Sequence, residues 1–304
     1  MKSITAKRKG FVVLALVIVA LTAAILERHH LRRALKRQPV PHGAARHEAF
    51  FSPALKREAG YWVYLPPGFD GSGRVRYPVL YLLHGLFRSD DAYLQRVDVD
   101  IVADRLLAGK QIKPLILIMP EGDASFYVNW KGDPGNRWED YIAQDLIAEV
   151  DRRFPTVRDR QGRGIGGFSM GGFGALRLAL LHRDRFSSAS SEYGAFQLGS
   201  TALPYLGQIL HQAFGDDPKT YEAESPLNLL ETTHLRPGEL AIYLDAGEED
   251  AWALDEQARE FDRRLTAAGI SHEFQIFPGN HTDSYLRDHV ALVLVFHSRN
   301  FPAE

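Results

Sequence analysis

Two uninterrupted apolar runs, Tyr77–Leu83 (YPVLYLL) and Leu115–Met119 (LILIM), constrain this chain more than any other feature. A strand with one face in water alternates apolar and polar residues, whereas a strand that is apolar throughout is covered on both faces. Such strands belong to parallel sheets, whose crossover helices lie on either side. The intervening segments agree. Val97–Leu107 and Trp138–Phe154 have helical periodicity, and the second is acidic early and closes on Arg152 and Arg153, as the helix dipole favours. Tyr61–Leu65 reads as an early strand stopped by Pro66-Pro67-Gly68. Later, Leu240–Leu244 and Glu273–Phe277 read as strands, with a helical stretch from about Ala251 to Ala268 between them. The expectation is an α/β protein with a mostly parallel central sheet and helices on both faces. Ligands of such sheets bind beyond the carboxyl ends of the strands, so the loops there are where chemistry is sought.

The N-terminus follows a different pattern. Lys2, Lys7, Arg8 and Lys9 precede an apolar run from Phe11 to Leu26 in which only Thr22 is polar, the pattern of an export segment. It fits a cleaved signal, with small residues at Thr22-Ala23-Ala24, or an uncleaved anchor in the inner membrane. The basic residues Arg28, Arg32, Arg33, Lys36 and Arg37 that follow argue against cleavage. Residues 1–26 are thus expected to be a signal or anchor, 27–48 a basic linker and 49–304 the folded domain, exported to the periplasm or cell envelope. The absence of cysteine excludes a thiol nucleophile, a Cys-ligated zinc and a disulfide framework. A net charge of −2 gives no reason to expect a nucleic-acid partner.

Gly167-Phe168-Ser169-Met170-Gly171 fits the G-x-S-x-G turn that lifts a nucleophilic serine from a strand onto a helix N-terminus. The residues two before and two after must be small so that the backbones can approach. Gly171, Gly172 and Gly174 then open a helix through Ala175–Leu180, whose free N–H groups favour developing negative charge. Two competing readings exist. One is a close helix–strand crossing with an inert buried serine; the other is a phosphate cradle, for which the required lysine is missing.

The partners of such a serine come later in the chain, an acid and then a histidine. Asp245-Ala246-Gly247-Glu248-Glu249-Asp250 follows one strand, and Pro278-Gly279-Asn280-His281 follows the next. His281 is the expected base, and Asp250 the acid that orients it, with Asp245 in reserve; an acidic loop can equally be merely solvated. Leu86, after the strand ending at His84, and Met170 are the expected backbone N–H donors to an oxyanion. His84 itself reads as structural. Tyr127 and Trp130, in an aromatic loop from Phe126 to Trp138, either line a substrate pocket or bury themselves in a packed loop. Gly194–Pro237 is long enough for a small helical flap but not for a large cap domain.

These motifs together resemble the esterase D family: VYLPPGFD, YPVLYLLHGL, MPEGDASFYVNW, WEDYIAQDLIAEVD, GGFSMGGFGAL, GEEDAW and PGNHTDSYLRDH occur in that order over roughly Phe50–Phe296. The family includes S-formylglutathione hydrolases, feruloyl and acetyl-xylan esterases and the antigen 85 mycolyltransferases. The resemblance implies an α/β-hydrolase fold and a serine carboxylic-ester hydrolase working through an acyl-Ser169 intermediate, with Asp250 and His281 completing a triad and no metal or organic cofactor. Its implied substrate is a small-molecule or carbohydrate ester. Two departures stand out: the S-formylglutathione hydrolases lack an export segment, and the antigen 85 acid is usually glutamate. Acyl transfer to a sugar or other alcohol, and ligand binding without catalysis, are the alternatives on the same fold.

Overall fold

The two apolar runs become the neighbouring interior strands β3 (Val79–Leu83) and β4 (Ile116–Pro120), buried at every position in a computed structural model that describes residues 40–198 and 206–302. Around them are β1 (Ala44–Ser52), β2 (Arg57–Leu65), β5 (Arg163–Phe168), β6 (Ser188–Glu192), β7 (Ala241–Gly247) and β8 (Glu273–Phe277). The eight strands form one sheet in the order β1-β2-β4-β3-β5-β6-β7-β8. Only the β1–β2 and β2–β4 pairs are antiparallel. From β3 onward every strand points the same way, so the loops after β3, β5, β6, β7 and β8 share one edge.

The main helices are α1 (Val99–Ala108), α2 (Ile147–Arg153), α3 (Met170–Leu181), α4 (Leu206–Phe214), α5 (Pro218–Glu224), α6 (Pro226–Thr232), α7 (Leu254–Ala267) and α8 (Asp283–Asn300). Helix α8 packs on β6 and β7 with α1 beside it; on the opposite face α3 packs on β3, β5 and β6 with α6 beside it, and α7 packs on β7. The helical stretch expected over Trp138–Phe154 is present, but its middle, Tyr141–Leu146, is wound as a π-helix. That wider turn carries three successive residues, Tyr141, Ile142 and Ala143, into the core. Among the described residues between β6 and β7 the helices are α4, α5 and α6, a small flap with no large cap. Buried Arg177 of α3 ties it to the core, pairing with Glu224 of α5 and with Glu139.

Two strands have little signature in the sequence. Strand β6 reads Ser-Ala-Ser-Ser-Glu yet is wholly buried. Ser188 and Ser190, with Gly164 and Gly166 of β5, are small because α8 presses on them. A Cβ on Gly164 would sit 2.6 Å from His297 Nδ1, and one on Gly166 would sit 2.3 Å from Ser190 Oγ. His297 lies between Ser188 Oγ at 2.8 Å and Ser190 Oγ at 2.9 Å. Burial drives its pKa down to about 3, so the ring is neutral, donating to one hydroxyl and accepting from the other.

Strand β1 begins at Ala44, inside the stretch assigned from its charges to a linker ending at residue 48. It is an edge strand, mostly exposed, held by pairing with β2 from Ala44↔Leu65 to Ser52↔Arg57, so its side chains need no apolar pattern. Its entry is pinned by buried Asp104 of α1, which accepts from His42 Nδ1 at 3.0 Å, the Gly43 N–H at 2.9 Å and the Tyr64 hydroxyl at 2.7 Å. Among the described residues no helix is long and apolar enough to cross a membrane; the Phe11–Leu26 run and the signal or anchor reading lie outside them.

Removing the Asp104 carboxylate orphans the buried Tyr64 hydroxyl, and Asp104→Ala is expected to cost about 2–3 kcal/mol. Adding Tyr64→Phe deletes the orphan and should return part of that loss. Urea denaturation of the two variants checks this, and a single-variant cost below about 0.5 kcal/mol would remove the anchor from the account.

Candidate active site

Ser169 stands between β5 and α3 with φ 55° and ψ −118°, a conformation that an L-residue keeps only when its surroundings enforce it. The enforcement is visible. A Cβ on Gly171 would lie 2.0 Å from the Leu83 carbonyl oxygen, and one on Gly167 would lie 2.4 Å from Gly171 backbone atoms. Helix α3 therefore starts in backbone contact with the end of β3. The Ser169 N–H donates to the Glu192 carbonyl at 3.0 Å, and its own carbonyl accepts from Phe173 N–H at 3.0 Å. Met170 is the first residue of α3, where an N–H has no partner within the helix.

The loops after β7 and β8 meet beside this turn. A Cβ on Gly247 would be 2.4 Å from the Gly279 carbonyl oxygen. Asn280 latches the two loops, its Oδ1 accepting from Ala251 N–H at 2.9 Å and from His281 N–H at 2.7 Å. His281 Nδ1 lies 3.0 Å from Asp250 Oδ2, and because a carboxylate only accepts, Nδ1 carries the proton. Asp250 Oδ1 accepts from Trp252 N–H at 2.9 Å and Leu254 N–H at 3.4 Å, which fixes the carboxylate at the start of α7. Its side chain is wholly buried, and the imidazole is 18% exposed. The ring of Tyr193 lies against the imidazole at 4.1 Å between centroids.

Ser169 and His281 line one cavity of about 200 Å³ together with Leu86, Phe126, Met170, Leu198, Leu206 and Trp252. Leu86 and Met170, expected as amide donors, thus border the same space as the serine and the imidazole. Ser169 Oγ makes no hydrogen bond to a described residue. In unliganded sites the bond between nucleophile and base is often long and tightens around substrate. Among the described residues no cluster of three His, Asp or Glu side chains is arranged to hold a metal ion.

In the aromatic loop, Tyr127 and Trp130 pack away from the cavity. Tyr127 is fully buried, its hydroxyl donating to the His84 carbonyl at 2.9 Å and its ring filling the space beside Gly122 and Gly174. Trp130 is packed against the core and does not border the cavity. Phe126 does. Phe126 and Tyr127 both have positive φ, 52° and 55°, and this double left-handed step directs one ring to the cavity and the next into the core. His84 is buried with Nδ1 2.9 Å from the Gly85 carbonyl.

Asp245, the reserve acid, does not meet His281. It is buried among phenols, accepting from Tyr243 OH at 2.9 Å and Tyr285 OH at 3.2 Å. Opposite it in the ladder is Glu192, which sequence reasoning missed, since nothing local marks this glutamate as buried. Neither carboxyl oxygen of Glu192 has a hydrogen-bond partner among the described residues. Burial, and then the charge of Asp245, raise its pKa well above the usual carboxyl range. Burial also raises Asp245, although the two phenols oppose the shift.

Residues 52–292 match a family model described as "Putative esterase". The chain belongs to this esterase family. It is 32% identical over 261 residues to an esterase of Mycobacterium tuberculosis, an alignment covering 76% of this chain and 54% of the relative; the chain spans about half the length of that curated relative. Among solved structures, a ferulic acid esterase is similar with a TM-score of 0.74 at 25% identity, over 86% of this chain and 99% of its own. A fluorophosphonate-binding serine hydrolase of Staphylococcus aureus shares the fold with a TM-score of 0.73 at 24% identity, over 84% and 99% of the two chains. The fold is that of the α/β-hydrolases, in agreement with the resemblance carried by the motifs.

The Glu192–Asp245 pair gives a signed prediction. Above about pH 4 unfolded chains have lost their carboxyl protons, whereas the raised folded groups still hold theirs. The folded state then binds more protons, so this pair's contribution to stability falls as pH rises from about 4 through the folded values. Glu192→Gln, which cannot ionise, should flatten that decline, with a higher urea midpoint than the parent at pH 8 and little change near pH 4. Parallel slopes for parent and variant would mean that Glu192 is already ionised in the fold.

Proposed function

We propose that the protein hydrolyses a carboxylic ester through an acyl-enzyme on Ser169. The observation that carries this reading is the Asp250–His281 hydrogen bond at the lip of the cavity bordered by left-handed Ser169. His281 takes the Oγ proton at Nε2 as Oγ attacks the ester carbonyl carbon. The carbonyl oxygen becomes an oxyanion held by the N–H groups of Leu86 and Met170, donors of a kind worth roughly 3–4 kcal/mol each. His281 returns the proton to the departing alcohol oxygen, and the acyl group stays on Oγ. Water then repeats the sequence, losing its proton to His281 and releasing the acid while Oγ regains its proton. Asp250 keeps the imidazole in the Nδ1–H tautomer and balances the charge it acquires.

The mostly apolar lining favours an uncharged acyl group, and the likeness to a ferulic acid esterase supports small-molecule or carbohydrate esters as the substrate class. The basic and apolar pattern of residues 2–26 supports an exported site of action, by a signal or an anchor.

A fluorophosphonate probe and a chain-length series of p-nitrophenyl esters test the reading on the full chain. The parent should label and turn over esters, and Ser169→Ala should lose labelling and at least about 10⁴-fold in kcat/KM. His281→Ala should lose a similar factor. A folded parent that neither labels nor turns over any ester, or a Ser169→Ala variant as active as the parent, overturns it.

A further inference from the structure

Tyr193 is built into an unusual position. It follows the last residue of β6 with φ 36°, a backbone setting that costs a bulky residue about 1–3 kcal/mol, and it is only 2% exposed. Its N–H donates to the Asp245 carbonyl at 2.7 Å, which pins the strained residue to β7. Its hydroxyl donates to the carbonyl of Thr282, the neighbour of His281, at 3.4 Å. Phe168 and Tyr285 hold the ring from other sides, at 6.2 Å and 5.5 Å between centroids. The ring so fixed lies 4.1 Å from the His281 imidazole at an interplanar angle of 36°. Trp252 approaches the imidazole edge-on at 6.5 Å.

We propose that Tyr193 is a positioning residue for His281: its ring holds the imidazole in line with Asp250 and stabilises the imidazolium formed as Ser169 is acylated. This rests on the ester-hydrolase reading and adds a residue to it. An aromatic face is negative and attracts a cation within about 6 Å of its centroid. The attraction is stronger for the imidazolium than for the neutral ring, so it acts on the transition state more than on bound substrate. An aliphatic side chain would fill the same space without that distinction. The groups around the pair are accounted for. Asp250 holds Nδ1; Glu192 and Asp245 act on Tyr193 from the sheet, with Tyr285 from α8 beside its ring. Asp283 of α8 also acts on Tyr193 and is paired with Arg88 at 2.9 Å.

The test is the pH profile of kcat/KM for a p-nitrophenyl ester, together with an NMR titration of the His281 imidazole, in three variants. Tyr193→Phe keeps the ring and should keep kcat within about threefold and the acid limb where it is. Tyr193→Leu should lower the His281 pKa, moving the acid limb down by about 0.5–1.5 pH units. Its kcat should fall about 3–30-fold, with KM changed less than about twofold. A pentafluorophenyl side chain placed at position 193 has nearly the same shape with the face charge reversed, and should behave like the leucine. That variant decides the matter if Tyr193→Leu fails to fold. An unmoved acid limb and an unmoved His281 titration with the pentafluorophenyl ring would overturn the proposal. The NMR titration does not need turnover, so a parent without esterase activity would sink the ester-hydrolase reading while the ring–imidazole pairing is still measured.

Discussion

The backbone of α3 touches the backbone of β3, and much of the site follows from that contact. With 2.0 Å between an added Cβ on Gly171 and the Leu83 oxygen, no side chain of any kind fits at the crossing. A helix started so close to its neighbouring strand forces the preceding residue out of the ordinary regions of backbone space, and Ser169 is that residue. The same closeness brings the loop after β3, with Leu86, to the first turn of α3, with Met170. A strained serine, an uncapped helix start and an adjacent loop are thus one packing decision seen from three sides.

How much of this could be read from residues alone depended on whether a residue's neighbours in sequence are also its determinants in space. Strands β3, β4 and β8 were legible because burial on two faces, or flanking turns, leaves a local pattern. Strand β6 was not, since Ser188 and Ser190 answer to His297, more than a hundred residues away. Strand β1 was not, because an edge strand is held by main-chain pairing that leaves little trace in side-chain type. The positions of Asp250 and His281 were legible because a parallel sheet gathers its post-strand loops at one edge. Asp250 and Asp245 were not separable from the residues alone, because β7 runs on to Gly247: Asp245 lies inside the strand with its side chain among phenols, and Asp250 lies in the loop beyond it beside His281. The exchange of Tyr127 for Phe126 at the cavity comes from two successive positive φ angles in residues for which sequence offers no reason to expect them.

Beneath the cavity, the α8 side of the sheet is more polar than its depth suggests. His297, Ser188 and Ser190 are mutually satisfied, and Asp245 is satisfied by two phenols, while Glu192 stands next to them without a partner among the described residues. A buried acid of this kind remains in a fold at a cost in stability that depends on its protonation. The pair at Glu192 and Asp245 adjoins the two residues that fix the elbow and the imidazole: the Glu192 carbonyl receives the Ser169 N–H, and the Asp245 carbonyl receives the Tyr193 N–H.

Asn280 has a consequence for the order in which the site becomes ready. By holding Ala251 and His281 through a single oxygen, it makes the loops after β7 and β8 one rigid piece, so that Asp250 and His281 lose their freedom relative to each other when the chain folds. The entropy of aligning carboxylate with imidazole is spent once, on folding, and not again for each ligand that enters. The Ser169 hydroxyl, which makes no hydrogen bond to a described residue, keeps its rotation about the Cα–Cβ bond, and a ligand entering the cavity sets that rotor against a partner pair already aligned.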